Sequence, residues 1–379
     1  MDDATSKRIG LALSGGGVRA AAFHAGVLMY LAERGRLEDV AHISSVSGGT
    51  LFTGLVFTSS GYRWPSSAEY RGAVHEQVRK TLTGASLQAR ALGSLLLKPS
   101  NWRFAFARAN VMARTIRSLW GIEATLGDLP AVPVWSINAT TGETGRRFRF
   151  SGRRMGDYEI GYADASSIPL CSAMAMSAAF PVGVGPLVIR TGDYGWFKRE
   201  EWDGTEERPR ILPFGRLHLY DGGLYDNLGL EPFFDVGRRE IKARDEGGVD
   251  CVIVSDAGTA LERQMPHWLS PSRFKRIADL ALDQTRALRV RCFVNFLQDN
   301  PARGAYVQIG ARLEDVLRKP RGVNEERARH LNACDWLDAR SVERAANYPT
   351  TLARMDEGDF HVLSRHGYET ARWNGELFK

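Results

Sequence analysis

The residues with the clearest chemical potential lie in three glycine-containing turns, each after an apolar run typical of a β-strand. In the first turn, Gly15, Gly16 and Gly17 separate a predicted strand over 8–13 from a helix that begins near Val18. Consecutive glycines let several backbone N–H groups point into one space, because no Cβ blocks the approach. The helix N-terminus adds positive partial charge, so the turn could hold the oxyanion of an acyl-transfer intermediate or a phosphate.

The second turn contains a serine at the point where a strand gives way to a helix. A predicted strand over 42–46 is followed by Ser47, Gly48 and Gly49, and a helix is predicted from Thr50. A sharp strand-to-helix turn lifts a serine hydroxyl above the sheet, where it can act as a nucleophile. Ser47 is therefore the candidate nucleophile, although a serine before two glycines is also typical of an ordinary turn or helix cap.

The third turn offers an acid. Asp221 ends a predicted strand over 217–220, and Gly222 and Gly223 after it permit a tight turn. We expect this strand to end at the carboxyl edge of the sheet, where α/β enzymes place their ligands. Asp221 is thus the candidate base for Ser47, although an Asp-Gly pair by itself also fits an Asx-turn.

Other residues compete for the role of the base. His218 lies three residues before Asp221, so strand geometry points the two side chains to opposite faces. Asp256 also ends a predicted strand, over 249–255, and is the alternative acid. His24 and His42 lie on the helix after the first turn and at the start of the strand before Ser47. Neither is placed like the histidine of a catalytic triad.

A different class of protein also fits the first turn. Gly15, Gly17 and Ala20 satisfy the G-x-G-x-x-A fingerprint of a dinucleotide-binding site between a strand and a helix. That fingerprint requires an acid at the end of the next strand to hold the ribose. Glu38 and Asp39 precede that strand, and Ser47 occupies its end, so the sequence disfavours this interpretation.

The elements that must position these turns alternate between strand and helix over the first 58 residues, which predicts an α/β fold with a parallel sheet between layers of helices. Residues 66–121 are predicted to be a helical insertion, and residues 260–379 a helical C-terminal extension. A small-residue helix is expected over 172–179, and a surface hairpin or loop over 191–213. A further helix, over 270–297, carries Phe274, Ile277, Ala281 and Leu288 along one side. No Gly-, Ser- or Pro-rich linker divides the chain, so one domain over 8–379 is predicted.

Charge is distributed unevenly along the chain. The net charge is +6, and the segment 85–121 carries six basic residues and no acid: Arg90, Lys98, Arg103, Arg108, Arg114 and Arg117. Leucine, phenylalanine and tryptophan residues are interleaved with these charges. Such a pattern suits an anionic lipid surface or a nucleic acid, and it equally suits a helical cap with a basic outer face. Of the two ligands, we expect membrane lipid and no nucleic acid.

Composition narrows the remaining possibilities. The 44% hydrophobic and 25% charged residues are typical of a globular protein. No run approaches the roughly 20 apolar residues of a membrane span, and the polar N-terminus lacks the apolar core of a secretory signal. Four scattered cysteines form no metal-like pattern. We therefore expect a cytoplasmic protein, peripheral at the membrane, with no metal and no cofactor.

Taken together and in order, the three turns resemble the signature blocks of the patatin-like phospholipases: Gly15–Arg19, Ser47 within SVSGG, and Asp221 within DGG. The stretch 176–181 resembles the small-residue helix and proline that precede the family's catalytic Asp, and Asn227 fits an asparagine of the following loop. Ala20 and Ser45 stand where the family commonly has glycine. The resemblance spans residues 8–260 and implies a patatin-like αβα fold.

The resemblance also implies a chemistry. Ser47 and Asp221 would form a catalytic dyad, with Gly15, Gly16 and Gly17 as the oxyanion hole. Arg19, Gly49, Gly222, Gly223 and Asn227 would support them. The expected activity is hydrolysis of carboxylic esters of membrane lipids, of the phospholipase A or lysophospholipase type. A regulated or inactive signalling module with the same fold is the alternative, and the sequence leaves the lipid head group and acyl preference open.

Overall fold

The structure is a computed structural model of the chain. It describes residues 7–97, 108–181, 184–200, 206–242, 248–258, 272–318 and 325–377, together with residues 265, 267 and 270. Lys98 and Arg103 of the basic segment lie outside the described residues, as does the side chain of Phe274.

The strands in chain order are β1 (Ile9–Leu13), β2 (Val40–Val46), β3 (Val134–Thr141), β4 (Arg147–Ser151), β5 (Arg154–Asp157), β6 (Gly161–Asp164), β7 (Leu187–Arg190), β8 (Trp196–Arg199), β9 (Glu207–Arg210), β10 (Arg216–Asp221), β11 (Phe234–Asp235), β12 (Glu240–Ile241), β13 (Cys251–Asp256) and β14 (Gly304–Gln308). The helices are α1 (Gly17–Glu33), α2 (Gly48–Ser59), α3 (Ser67–Glu69), α4 (His75–Gly84), α5 (Leu87–Leu97), α6 (Ala109–Trp120), α7 (Leu170–Ser177), α8 (Gly223–Asp226), α9 (Ser272–Asp299), α10 (Leu313–Leu317), α11 (Glu325–Asn332), α12 (Ala339–Ala346) and α13 (Glu357–Leu377).

The centre of the sheet is parallel, as predicted. In the part of the chain that the structure describes, β14, β13, β1, β2 and β3 lie side by side and run in one direction. Every residue of β1 and β2 is buried, which is typical of strands covered by helices on both faces. Beyond β3 the sheet continues as an antiparallel meander of β4, β5, β6, β8 and β9. The sequence analysis did not predict this antiparallel half.

Strand β10 lies in line with β2 along the same side of β3, and it runs in the opposite direction. Strand β2 ends where Val46 pairs with Asn138 of β3, and β10 pairs with the next residues of β3, from Ala139 to Thr141. Since Ala139 and Thr140 also pair with β4 on the other side of β3, β10 must lie on the side of β2. Strands β2 and β10 therefore meet end to end, with the C-terminal end of each at the junction.

The C-terminal region closes the helical layer around α1. Helices α1 and α13 cross at two glycines, Gly26 and Gly367. A Cβ at Gly26 would lie 1.7 Å from the carbonyl oxygen of Ser364, and one at Gly367 would lie 2.1 Å from that of Phe23. Only glycine allows two helix backbones to approach so closely. This crossing fixes the C-terminal helix to the element that begins at the first glycine turn.

Several predicted elements appear with small changes. The insertion over 66–121 is helical throughout its described part, with a π-helical turn over Tyr70–Val74 before α4. The predicted surface hairpin over 191–213 is formed by β8 and β9. The described part of the C-terminal extension is mainly helical and also contains β14, which adds a parallel strand to the edge of the sheet.

The long helix α9 does not bury its apolar stripe. Ile277 and Leu288 are 60% and 56% exposed, and Ala281 is exposed as well. The helix instead packs through its C-terminal half, where Phe293 is fully buried among Phe234 and Phe296. The periodicity predicted the helix, and the side that faces the protein differs from the apolar stripe. Among the described helices, none combines the length and apolar character needed to cross a bilayer.

Candidate active site

Ser47 occupies a sharp turn with a strained backbone. Its φ of 50° and ψ of −116° lie in a region that non-glycine residues rarely adopt, at a cost of roughly 1–3 kcal/mol. Packing behind it leaves no space for other side chains, because a Cβ at Gly48 would lie 2.2 Å from the carbonyl oxygen of Gly17. A Cβ at Gly49 would lie 2.4 Å from that of Leu13. The turn therefore has the geometry of a nucleophile elbow.

Asp221 is held at the end of β10 by backbone hydrogen bonds. Its N–H donates to the carbonyl of Ala179, and the N–H of Gly222 donates to the carbonyl of Ser177. One carboxylate oxygen accepts the N–H of Gly223 at 2.7 Å. These contacts place the carboxylate near the hydroxyl of Ser47, which acts to lower the pKa of Asp221.

The environment of Asp221 favours its neutral form. Its side chain is buried, with 5% of its surface exposed. Burial raises the pKa of Asp221 to about 6, although the hydrogen bond from Gly223 and the nearby Ser47 hydroxyl act in the opposite direction. A carboxylate with a pKa in this range can accept a proton near neutral pH far better than an exposed aspartate. A buried carboxylate next to a strained serine hydroxyl is a pair suited to proton abstraction and nucleophilic attack.

The first glycine turn lies against Ser47 and offers two backbone donors. Gly15 packs on Ser47, but its N–H donates to the carbonyl of Asn227 at 3.1 Å and so is not free to bind an oxyanion. The N–H groups of Gly16 and Gly17 have no hydrogen-bond partner within the described residues. Of the three predicted oxyanion donors, the geometry therefore favours Gly16 and Gly17.

Asn227 connects the first turn with the third. Besides the bond from its carbonyl to Gly15, its side-chain oxygen fills the space beside Gly15 and Gly223, where Cβ atoms would lie 2.3 Å and 2.8 Å from it. Gly222 is equally confined, since a Cβ there would lie 2.5 Å from the carbonyl oxygen of Asn138. Through these contacts, Asn227, Gly222 and Gly223 pack the third turn closely against its neighbours in the site.

Arg19 stabilises the base of the first turn. Its guanidinium donates to the carbonyls of Ala257 at 3.0 Å and Tyr348 at 2.5 Å, and the residue is 2% exposed. Burial lowers the pKa of Arg19 to about 10, so the side chain stays charged at neutral pH, with Asp256 nearby as an opposing charge. Arg19 therefore ties α1 to the end of β13 and to the segment before α13, and its side chain donates no hydrogen bond to Ser47 or Asp221.

Ser177 is a site residue whose role the sequence analysis did not assign. Its hydroxyl accepts the N–H of Ser47 at 3.0 Å, and its carbonyl accepts the N–H of Gly222. The same hydroxyl is 2.8 Å from that of Thr50, which is 2.8 Å from the hydroxyl of Ser45. Ser177 thus joins the elbow to the loop of Asp221. The sequence feature that could have indicated this role is a serine at the end of a predicted helix of small residues.

The rival bases have other partners. His218 lies on the other side of β10, where its Nδ1 is 2.5 Å from Glu143. Asp256 is fully buried and accepts hydrogen bonds from Arg286 and Tyr306, both at 2.5 Å.

Both of the remaining histidines support the sheet. His24 is buried between the carbonyl of Ser14 and the hydroxyl of Ser255, and burial lowers its pKa to about 4, so it is neutral. His42 contacts Ser136, toward the other end of β2 from Ser47. Neither histidine is positioned to take a proton from Ser47.

The N-terminus of α1 is covered in a way that leaves little room for a pyrophosphate. The N–H of Val18 donates to the carbonyl of Thr351 at 2.9 Å, and a Cβ at Gly17 would lie 2.3 Å from that carbonyl oxygen. A dinucleotide would need this position for its phosphates. The geometry thus adds to the sequence evidence against a dinucleotide site. In the described part of the chain, no group of three or more His, Cys, Asp or Glu side chains could hold a metal ion.

A small apolar pocket borders the same turn. Gly17 and Leu51, four residues after Ser47, contribute to it, and helices α4, α5 and α6 and the segment before α13 close it. Apolar side chains line the pocket: Val18, Leu51, Leu82, Leu87, Trp120 and Leu352. The site therefore joins a polar pair of reactive groups to an apolar recess.

The chain belongs to the patatin-like phospholipase family, whose sequence pattern matches residues 11–234. Among solved structures, it is similar to human GIVD cytosolic phospholipase A2, with a TM-score of 0.54 and 14% identity over 98% of this chain and 61% of that one. The same human protein in complex with methyl gamma-linolenyl fluorophosphonate matches with a TM-score of 0.51 and 15% identity, over 98% of this chain and 57% of that one.

The likeness to the human protein shows a shared fold. The chain spans about three fifths of the length of that protein. No curated protein matches the chain in a sequence comparison. The predicted family and the α/β fold with a mainly parallel centre are confirmed.

Proposed function

We propose that this protein is a lipid acyl hydrolase in which Ser47 is the nucleophile and Asp221 the general base. The observation that carries the proposal is the position of the strained Ser47 beside the buried Asp221, whose pKa is raised to about 6. Membership of the patatin-like phospholipase family supports a lipid ester as the substrate.

The reaction follows from the arrangement of the two side chains. Asp221 takes the proton of the Ser47 hydroxyl as Oγ attacks the ester carbonyl, and the carbonyl oxygen becomes an oxyanion. The intermediate collapses to an acyl-Ser47 ester, and Asp221 returns the proton to the departing alcohol. Water then attacks the acyl-enzyme with Asp221 again as base, and the carboxylic acid leaves as Ser47 regains its proton.

The oxyanion is assigned to the first glycine turn. The N–H groups of Gly16 and Gly17 lie at the N-terminus of α1, whose partial positive charge adds to their effect. Removal of one such donor can cost an enzyme about 3 kcal/mol of transition-state stabilisation. Gly15 contributes through its packing against Ser47 and its bond to Asn227.

The surroundings of the site are apolar. The pocket beside Gly17 has a free volume of only about 10 Å³, so the side chains that close it must move before an acyl chain can enter. Helix α5 supplies Leu87 to this pocket, and its other face exposes Leu92, Leu96 and Leu97. Exposed leucines on a helix that closes an apolar pocket favour contact with a lipid surface.

The basic residues of α6 contribute less to this argument. Arg117 is paired with Glu123 in the structure, and the helix buries Val111, Met112 and Ile116 against the protein. Helix α6 therefore fits the second interpretation of the charge pattern, a helical cap with a basic outer face. We assign membrane contact to the leucines of α5, with the arginines in a supporting electrostatic role.

Labelling with a long-chain alkyl fluorophosphonate tests the nucleophile. An activated serine attacks the phosphorus and displaces fluoride, which leaves a stable adduct that mass spectrometry can map. We expect one adduct, on the peptide that contains Ser47, no adduct in Ser47→Ala, and slow labelling of Asp221→Asn. Ser44→Ala is the matched control and should label normally. An adduct on another serine, or none in the wild type, would contradict the proposal.

A further inference from the structure

A second apolar cavity, of about 250 Å³, lies away from Ser47 and Asp221. It is bounded by the third turn of α2, the segment before β3 and the turn between β4 and β5. Apolar side chains form most of its lining: Phe57, Leu126, Leu129, Trp135 and Phe150. Phe57 is ten residues along α2 from Ser47, which corresponds to roughly 15 Å at 1.5 Å per residue. The cavity is therefore separate from the pocket beside Gly17.

The floor of the cavity is formed by packed aromatic side chains. The rings of Phe57 and Trp135 stack with their centroids 5.2 Å apart, and both side chains are almost fully buried. The indole N–H of Trp135 points away toward Ser45, to which it donates at 2.8 Å. Pro130 and Pro133 in the adjoining wall carry no N–H. An occupant would thus meet hydrocarbon on most sides.

One charged side chain lies at the rim. Arg153, in the turn between β4 and β5, lines the cavity and is exposed, and its guanidinium forms no hydrogen bond or ion pair within the described residues. The neighbouring arginine, Arg154, is paired with Glu207. The acid nearest to the cavity along the chain, Asp128, uses its carboxylate to cap Thr125. Arg153 is therefore available to a ligand.

We propose that this cavity binds a single-chain carboxylate amphiphile, with the hydrocarbon chain on Phe57 and Trp135 and the carboxylate on Arg153. A guanidinium binds a carboxylate through two parallel hydrogen bonds, which fixes the orientation of the ligand. The volume is below the roughly 300–1,000 Å³ typical of sites for drug-sized molecules, so one chain of medium length fits better than a two-chain lipid.

Such a ligand is chemically the acid that the proposed hydrolysis would release. The binding itself does not depend on the catalytic assignment, because neither Ser47 nor Asp221 contributes to the cavity. Binding can therefore be measured whether or not the protein hydrolyses esters. A failure of ester hydrolysis and a failure of binding at this cavity are separate results.

Calorimetric titration of the full chain with decanoate, below its micellar concentration, tests the site. We expect saturable binding to the wild type and at least tenfold weaker binding to Arg153→Gln. Arg190→Gln removes another exposed arginine, in β7, and should bind as the wild type does. Ala131→Trp places a large side chain at the exposed mouth of the cavity and should abolish binding, whereas Ala131→Ser should not.

The neutral 1-decanol, which has no ester bond to hydrolyse, separates charge from hydrophobic contact. It should bind wild type and Arg153→Gln equally, and more weakly than decanoate binds the wild type. Binding of decanoate that is unchanged in both Arg153→Gln and Ala131→Trp would place the ligand elsewhere and overturn the proposal. Absence of decanoate binding to the folded wild type would overturn it as well.

Discussion

Asp221 reaches Ser47 from a strand that runs against the strand carrying Ser47. Strand β2 ends at Val46, β10 ends at Asp221, and the two strands meet because both pair with consecutive parts of β3. The two C-terminal ends thus bring a carboxylate and a hydroxyl together without any contribution from a histidine. This relationship underlies the predictions below.

The raised pKa of Asp221 predicts how hydrolysis depends on pH. The base must be ionised, and the ionised fraction of a carboxyl with a pKa of about 6 rises as the pH increases through that value. We expect kcat/KM for a short soluble ester to rise between pH 5 and pH 7 and then level off. An exposed aspartate would be fully ionised throughout this range, so a flat profile from pH 5 to pH 8 would contradict the assignment.

Ser177→Ala tests whether the elbow depends on its hydrogen bond to α7. The substitution leaves the N–H of Ser47 without an acceptor, at a cost of roughly 1–2 kcal/mol. We expect kcat to fall about tenfold with KM unchanged, because the strained turn positions the nucleophile and not the acyl chain. Ser172→Ala, on the same helix, is the control. Equal activity of Ser177→Ala and the wild type would show that Ser177 does not position the nucleophile.

Asp256→Asn separates a structural acid from a catalytic one. Asp256 is fully buried and paired with Arg286, so loss of its charge leaves this buried cation with only the longer, 3.8 Å ion pair to Asp283. We expect the free energy of unfolding, measured by chemical denaturation, to fall by about 3 kcal/mol. The kcat of the folded variant should stay within the same order of magnitude as the wild type. A folded variant without activity would make Asp256 the candidate base.

The exposed leucines of α5 predict a difference between vesicles and soluble substrates. Leu96 and Leu97 are 64% and 82% exposed, so their replacement by glutamine should not disturb packing. We expect the double variant to bind anionic phospholipid vesicles less and to release less fatty acid from them, while it cleaves a short ester normally. Ile211→Gln is the control, because Ile211 is 96% exposed and lies after β9. Unchanged vesicle binding would exclude α5 as the lipid contact.

The parts of the site that the sequence predicted are those determined by local geometry. A strand, a glycine turn and a helix follow one another directly around Gly16 and around Ser47, so the pattern of a few adjacent residues was sufficient. The direction of β10 could not be predicted from adjacent residues. It depends on the pairing of Asp221 with Ala139, which lies more than eighty residues earlier in the chain. The sequence analysis therefore identified Asp221 as the end of a strand, and it made no prediction of the direction of that strand relative to β3.

Contacts between distant segments account for the other differences. The bond from Val18 to Thr351 and the closing of the apolar pocket by Leu352 come from a region that shows no chemical motif. The bond from the N–H of Gly15 to the carbonyl of Asn227 engages one of the three proposed oxyanion donors, and no residue pattern reveals it. The side of α9 that faces the protein is determined by the residues that surround Phe293. The spacing of apolar residues along α9 does not indicate which side that is.

The central claim is that Ser47 and Asp221 act as a pair, and one comparison tests it most directly. Wild type, Ser47→Ala and Asp221→Asn would be tested together on phospholipid vesicles and on a short chromogenic ester. Folding is checked by thermal denaturation at pH 8, where ionised Asp221 destabilises the wild type because its pKa is raised in the folded state. Asp221→Asn should therefore melt above the wild type at pH 8 and lose this advantage near pH 4.

We expect hydrolysis of both substrates by the wild type alone, with both variants folded and inactive. Activity in a folded Asp221→Asn together with loss in Ser47→Ala would mean that another group serves as the base. Equal activity in all three proteins would contradict the account of the site, and an inactive wild type on both substrates would favour a module that keeps the fold without catalysis.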